Sequence, residues 1–251
     1  MNDPQSMEYT EAIMSDIFTP NKGKSLETEA AGIRYLRLPL KTRLIEQKDN
    51  LIALLREYAA PHLQKGDLLF VSEKIVCITQ GRMIPIKEVV TSPLARFLSQ
   101  HVRNHVGTPE FRGLGHGTAP AMQLLIEEAG YLRVLFAAFV AALTRPLGIK
   151  GAFYYLVGKQ AKSIDCPMSW TLAPYTEYAK RAPQKPNEVA RMIRDTFNTE
   201  TVIVDANYQG AFSLGKSTAT ISEKFIQELL HDNPAGQDSE MTPFFIIRKA
   251  L

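Results

Sequence analysis

Residues Lys65 to Ile86, KGDLLFVSEKIVCITQGRMIPI, constrain the fold more than any other part of the chain. Gly66-Asp67 is a turn signal, and the run Leu68-Leu69-Phe70-Val71 behind it is apolar without alternation. Such a run, with Gly66 on one side and Gly81 on the other, predicts a strand buried on both faces. The β-branched run Ile75 to Thr79 extends the same expectation. Ser72, Glu73 and Lys74 then fall where the buried strand reaches a polar edge. A hydroxyl, a carboxylate and a cation at that point suit an anionic ligand or a metal, and they suit equally an ordinary, solvated strand terminus.

Around this stretch the chain divides into a polar segment, residues 1–30, expected to be a peripheral arm, and one domain over residues 31–251. Ile33 to Leu40 alternates like a strand, with Pro39 at an edge or at the strand's end. Asp49 to Tyr58 has helical spacing behind Asp49 or Asn50 as cap. Pro93 to Val106 is a second amphipathic helix. Its His101 and His105 stand four apart, a metal-compatible spacing that lacks a nearby third ligand and reads as a wet helix face. Gly113, Gly115 and Gly117 alternate before a helix over Met122 to Ala129. Their spacing fits neither a dinucleotide fingerprint nor a phosphate-binding P-loop, and His116 between them is either a general base, a phosphate contact or a loop histidine with no task.

Val134 to Leu143, between Arg133 and Arg145, is too short to span a bilayer and predicts a buried helix. An aromatic strand is expected over Ala152 to Val157, then a turn at Ile164-Asp165-Cys166-Pro167 and an irregular Pro- and Tyr-rich stretch from Trp170 to Pro186. A helix over Asn187 to Phe197 feeds a strand, Thr201 to Val204, whose carboxyl end carries Asp205-Ala206-Asn207. Gly210 to Thr220 is rich in Gly and Ser. A helix over Ser222 to Leu230, a loop holding Asp232, Asp238 and Glu240, and a strand from Pro243 to Ile247 complete the pattern.

A net charge of +3, with no clustered Lys and Arg, argues against a nucleic-acid partner. Cys77 and Cys166 stand alone, so neither a disulfide framework nor a zinc site is expected, and a reduced cytoplasm is the simplest compartment. The first residues hold no basic region followed by an apolar core, so no secretory signal is expected. Asp165 and Asp205 each follow an apolar run directly. Carboxylates so placed suit a hard divalent cation carrying a nucleotide phosphate, although each alone also suits a turn or a cap.

In order, Leu38-Pro39-Leu40, the stretch Gly66 to Val76 with Gly81-Arg82, Ile164-Asp165, and Val202-Ile203-Val204-Asp205 resemble the motifs of the γ-glutamyl ligases. Those enzymes add L-glutamate to the precursor of the deazaflavin coenzyme F-420. The resemblance implies an α+β fold with a mixed sheet and flanking helices, an intertwined homodimer, and GTP used with Mg²⁺ or Mn²⁺. It implies that Leu38, Pro39, Leu40, Glu73 and Lys74 lie against the nucleotide and that Asp165 and Asp205 ligate metal. Lys74 and Arg82 would supply charge to the phosphoryl oxygens while a substrate acid is activated as an acyl phosphate and attacked by the glutamate amine.

The chain differs from the family pattern in four places: Ile78-Thr79-Gln80 where a Lys and an acid usually precede the Gly-Arg pair, Cys166-Pro167-Met168 after the first Asp, Ala206 to Gln209 after the second, and a much shorter segment between that motif and the C-terminal strand. Without the cation at position 78, nucleotide affinity is expected to lean on Lys74. The Asp232 to Glu240 loop is a candidate source of substitute ligands. The alternative from another class is a non-catalytic binding or regulatory protein on the same fold.

Overall fold

The computed structural model describes residues 18–101, 117–149, 151–207, 210–236 and 239–250. In chain order the strands are β1 (Glu27–Ala30), β2 (Ile33–Leu40), β3 (Leu68–Ser72), β4 (Met83–Pro85), β5 (Tyr178–Lys180), β6 (Glu200–Asn207), β7 (Gly210–Lys216) and β8 (Phe244–Lys249). The helices are α1 (Leu51–Tyr58), α2 (Glu73–Thr79), α3 (Pro93–His101), α4 (Ala119–Ala129), α5 (Tyr131–Thr144), α6 (Ala152–Val157), α7 (Lys159–Lys162), α8 (Pro186–Phe197) and α9 (Glu223–Leu229). Among the described residues, the chain up to Ile75 and from Lys185 onward forms one compact unit, and Val76–Gln184 forms a second.

The first unit is a mixed sheet in the order β1-β2-β8-β3-β6-β7. The central strand β3 runs parallel to β6 and antiparallel to β8, and the remaining pairs are antiparallel, as an α+β fold requires. Leu69, Phe70 and Val71 are each 0% exposed, so β3 is covered on both faces as its unbroken apolar run predicts. The Gly66-Asp67 turn is fixed by the buried Asp67 carboxylate, which accepts from Gln64 N at 2.7 Å and pairs with Arg248 of β8 at 2.7 Å.

Helix α9 packs against both edge strands, β1 and β7, so the sheet curls around it. Phe70, Val202, Val204, Phe245, Ile226 and Leu229 fill that concave side. Helix α8 lies against β6 and β7. Gly215 makes this approach possible, because a Cβ there would fall on the backbone carbonyl of Pro186 at the start of α8.

Pro39 sits on an inner strand and costs no ladder bond. Arg37 N donates to Leu26 O beside β1, and Pro39, two residues on, points its nitrogen the same way but past the β1–β2 register. The Asn50 carboxamide caps α1 by accepting from Ala53 N, while Asp49 pairs with Arg43 at 2.7 Å. That pairing holds the Asp49 carboxyl down at about 2. Of the polar stretch before residue 31, Phe18 is buried against His62 and residues 27–30 are the edge strand; residues 1–17 lie outside the described residues.

Three expectations are corrected. Ile75 to Thr79 continues as helix α2, not as strand. Ile75, Val76, Cys77 and Ile78 are all buried there, and a helix can be apolar on every side when burial outweighs the β preference of its residues. Ala152 to Val157 is helix α6, isolated by Gly151 at φ 81° and Gly158 at φ 97°, with Phe153, Tyr154, Leu156 and Val157 packed on one cluster. The run from Val134 to Leu143 is helical but not buried: in α5 only Val134 and Ala137 are fully covered. Strand β7 also emerges from a stretch whose glycines and serines masked the alternating burial of Ala211, Ser213 and Gly215.

The second unit gathers α3 to α7 around Ala121, Leu124, Leu125, Val134, Val157 and Ile164, beside the two-stranded β4-β5 ladder. His101 is exposed on α3 with its ring against Phe97 O; His105 and His116 lie outside the described residues, as do Gly113 and Gly115.

Candidate ligand-binding edge of the sheet

Strands β2, β3 and β6 point the same way, so all three end at one edge of the sheet. The register pairs Leu40 with Phe244, Phe244 with Val71, and Val71 with Ile203. One row of paired residues therefore crosses four strands, about 14 Å at the usual strand spacing. Just beyond it the chain releases Ser72-Glu73-Lys74 from β3 and Val204-Asp205 from β6, with Ser72 and Val204 themselves in register. The carboxyl ends of neighbouring parallel strands are where open sheets bind ligands. Three segments far apart in sequence, Leu38 to Leu40, Glu73-Lys74 and Asp205, thus share this edge.

Side-chain alternation sorts the two faces. Tyr35, Phe70, Val204, Ala206 and Phe245 face α9, which puts Leu38, Leu40, Val71, Ile203 and Asp205 on the opposite side. Pro39 falls on the α9 side. A small crevice on the α9 side, lined by Ser72, Val204, Ala206, Leu230, Pro234 and Phe245, offers one hydroxyl and otherwise apolar surface. Its chemistry does not suit a phosphate, so the edge on the Asp205 side is the better candidate.

Glu73 and Lys74 open α2. Glu73 is 1% exposed, which rules out a solvated terminus for it, and Lys74 is half-buried. Ile78, four residues further along the same helix, is 2% exposed. The position where the family pattern has a cation is an interior apolar position in this chain.

In the second unit, Asp165 pairs with Lys180 in an antiparallel bridge, Lys180 N donating to Asp165 O at 2.9 Å. The Lys180 ammonium is completely buried, lies 3.5 Å from the Asp165 carboxylate, and donates to Ser163 O. Sequence reasoning missed Lys180, because it sits in an irregular Pro- and Tyr-rich stretch with no periodicity to mark it. Arg82 is also engaged: its guanidinium donates to Ala182 O and to the Glu128 carboxylate of α4. Arg181 reaches Glu127 and, at 3.6 Å, Glu128, so two arginines and two glutamates form one network. A phosphate drawing on Arg82 would compete with Glu128 for it.

Asp232, the first acid of the late loop, is paired with the buried Arg37 rather than open to a ligand. Asp238 lies outside the described residues. Among the described residues, no three His, Cys, Asp or Glu side chains stand together in metal-holding range. Magnesium commonly takes one or two carboxylates with the remaining oxygens from phosphates and water, so single aspartates remain suitable for a cation that arrives with a nucleotide. Neither cysteine is in a disulfide and both are buried; burial pushes the Cys166 thiol up, and the Cys77 thiol donates to Arg181 O at 3.1 Å. Neither is an exposed thiolate. Among the described residues, no helix is long and apolar enough to cross a membrane.

No curated protein matches the chain. The model of the F420-0:Gamma-glutamyl ligase family matches residues 39–242, a span that contains β3, α2, Asp165 and Asp205. With most of its length inside that match, the chain belongs to the F420-0:Gamma-glutamyl ligase family.

Proposed function

We propose that the protein is a GTP-dependent amide ligase that joins L-glutamate to a small-molecule carboxylic acid with the help of Mg²⁺ or Mn²⁺, working as a homodimer in the cytoplasm. The observation that carries this reading is the shared carboxyl edge, where Leu38, Leu40, Glu73-Lys74 and Asp205 gather although the chain scatters them over 168 positions, from Leu38 to Asp205 inclusive. Leu38 and Leu40, both buried, would form an apolar floor beneath the nucleotide, and Lys74 would offer a cation to its phosphates.

The chemistry divides into two balanced steps. An oxygen of the substrate carboxylate attacks the γ-phosphorus of GTP, and GDP leaves as the acyl phosphate forms. The glutamate amine then attacks the acyl carbon, phosphate leaves, and the nitrogen gives up a proton. Charge grows on phosphoryl oxygens in the first step, and Lys74 offers this edge a cation to answer it. Arg82 serves the same end only by exchanging Glu128 for phosphate. A bound divalent cation would supply further positive charge to those oxygens, and Asp205 and Asp165 are each a candidate carboxylate ligand for such a cation.

The test is nucleotide turnover. With GTP, Mg²⁺, L-glutamate and the F-420 precursor acid, sustained release of GDP and phosphate should require both the amine and the acid, and should fall about a hundredfold in Asp205→Asn. Binding of the acid without any nucleotide turnover would instead favour a non-catalytic binding protein.

A further inference from the structure

Helix α5 presents its apolar face to solvent. Leu132, Leu135, Phe136, Phe139 and Leu143 recur at the spacing of a single helical face, and all are exposed, Leu132 at 85% and Phe139 at 62%. The face turned to the core is built from the smaller Val134 and Ala137. Leu147, 76% exposed, and Ile149 follow α5 in the chain, and α6, packed on α5, exposes Tyr155 at 82%. An exposed apolar helix face of this size marks a place where something binds.

Charge identifies the partner. From Tyr131 to Ser163 the sequence holds five cations, Arg133, Arg145, Lys150, Lys159 and Lys162, and not one Asp or Glu. Arg133, Arg145, Lys159 and Lys162 are exposed. A second copy docked by twofold symmetry would set this all-positive patch against itself, and like charges brought together across an interface are repelled. An anionic lipid surface supplies both complements at once, an apolar layer for the large side chains and negative headgroups for the cations around them. The helix is about 21 Å long, too short to cross a bilayer and suited to lying in its interface, with Arg and Lys stems reaching up to the headgroups.

We propose that the α5–α6 surface docks the protein peripherally on anionic phospholipid membranes, with α5 lying in the plane of the interface. The docking is independent of nucleotide turnover, since it uses no residue of the sheet edge.

The experiment is co-sedimentation of the full chain with vesicles of phosphatidylcholine alone and of phosphatidylcholine mixed with phosphatidylglycerol, at low and high salt. Wild type should pellet with the anionic vesicles, and less so as salt rises. Leu132→Asp with Phe139→Asp changes only exposed positions and should lower partitioning at least about tenfold, and Arg145→Glu with Lys162→Glu should do the same at low salt. Sedimentation velocity of the same variants without lipid completes the test. Wild type remaining in the supernatant with every vesicle would overturn the proposal. So would a Leu132→Asp/Phe139→Asp variant that drops from two chains to one while vesicle binding stays at the wild-type level, because the face would then belong to a second copy.

Discussion

Replacing Arg37 with leucine is expected to cost about 3–5 kcal/mol of folding stability, the range for breaking a buried ion pair from one side. The guanidinium is 1% exposed and ties three parts of the first unit together. It donates to Leu229 O at the end of α9 at 3.1 Å, to Ser25 O before β1 at 2.6 Å, and to both carboxylate oxygens of Asp232. Leucine would restore some apolar packing but leave two carbonyls and a half-buried carboxylate without their donor. Burial alone would raise the Asp232 carboxyl, but the Arg37 hydrogen bond and charge outweigh it and hold the group below its ordinary value. A carboxyl depressed in the folded state contributes stability above its unfolded pKa and loses it as pH falls through the folded one. Thermal melts from neutral to acid pH should therefore show wild type losing this contribution on acidification, whereas Arg37→Leu should start lower and lack that dependence. Equal melting temperatures for the two proteins at neutral pH would refute the role given to Arg37.

The second large effect belongs to the Asp165–Lys180 pair. Asp165→Asn is expected to destabilise the protein by about 3–5 kcal/mol, because it leaves a fully buried ammonium facing a neutral group. Lys180→Met should cost less, about 2–3 kcal/mol, since the Asp165 side chain is 35% exposed and can recover water. The order of the two losses is the informative result, measured by urea unfolding of each variant. If both substitutions fall within the error of wild type, the pair is not structural. The consequence for function is practical: an inactive Asp165→Asn is evidence for a metal ligand only where its folded fraction has been measured.

Legibility differed between the fold and the site. The uninterrupted run of β3, the alternation of β2 and the Asn50 cap carry their structure locally, and the described elements follow them. The helix α2 does not, because its Val and Ile residues favour strand in isolation and only the surrounding burial makes the helix. The α5 run reads as core from hydrophobicity alone, which cannot distinguish an apolar face that is covered from one that awaits a partner. At the candidate edge, Glu73, Lys74 and Asp205 read as the ends of apolar segments and Leu38 entered through the family resemblance alone, but their common edge follows from strand order and register. The partners of the acids were illegible for the same reason. Arg37 meets Asp232 across 195 positions, and that ion pair takes from the late loop the free acid that its sequence advertises.

Whether the edge formed by β2, β3 and β6 receives a nucleotide is measured directly by calorimetric titration of GTP with Mg²⁺ into the wild type, Lys74→Ala and Asp205→Asn. Ile78 is an interior residue, so no cation at that position shares the phosphate charge with Lys74. Losing a charge-assisted contact costs about 1.5–3 kcal/mol, and Lys74→Ala should weaken GTP by roughly ten- to hundredfold. Asp205→Asn should leave GTP binding in chelator close to wild type and abolish the gain that Mg²⁺ brings. Tight GTP binding unchanged by either substitution would contradict the assignment of this edge.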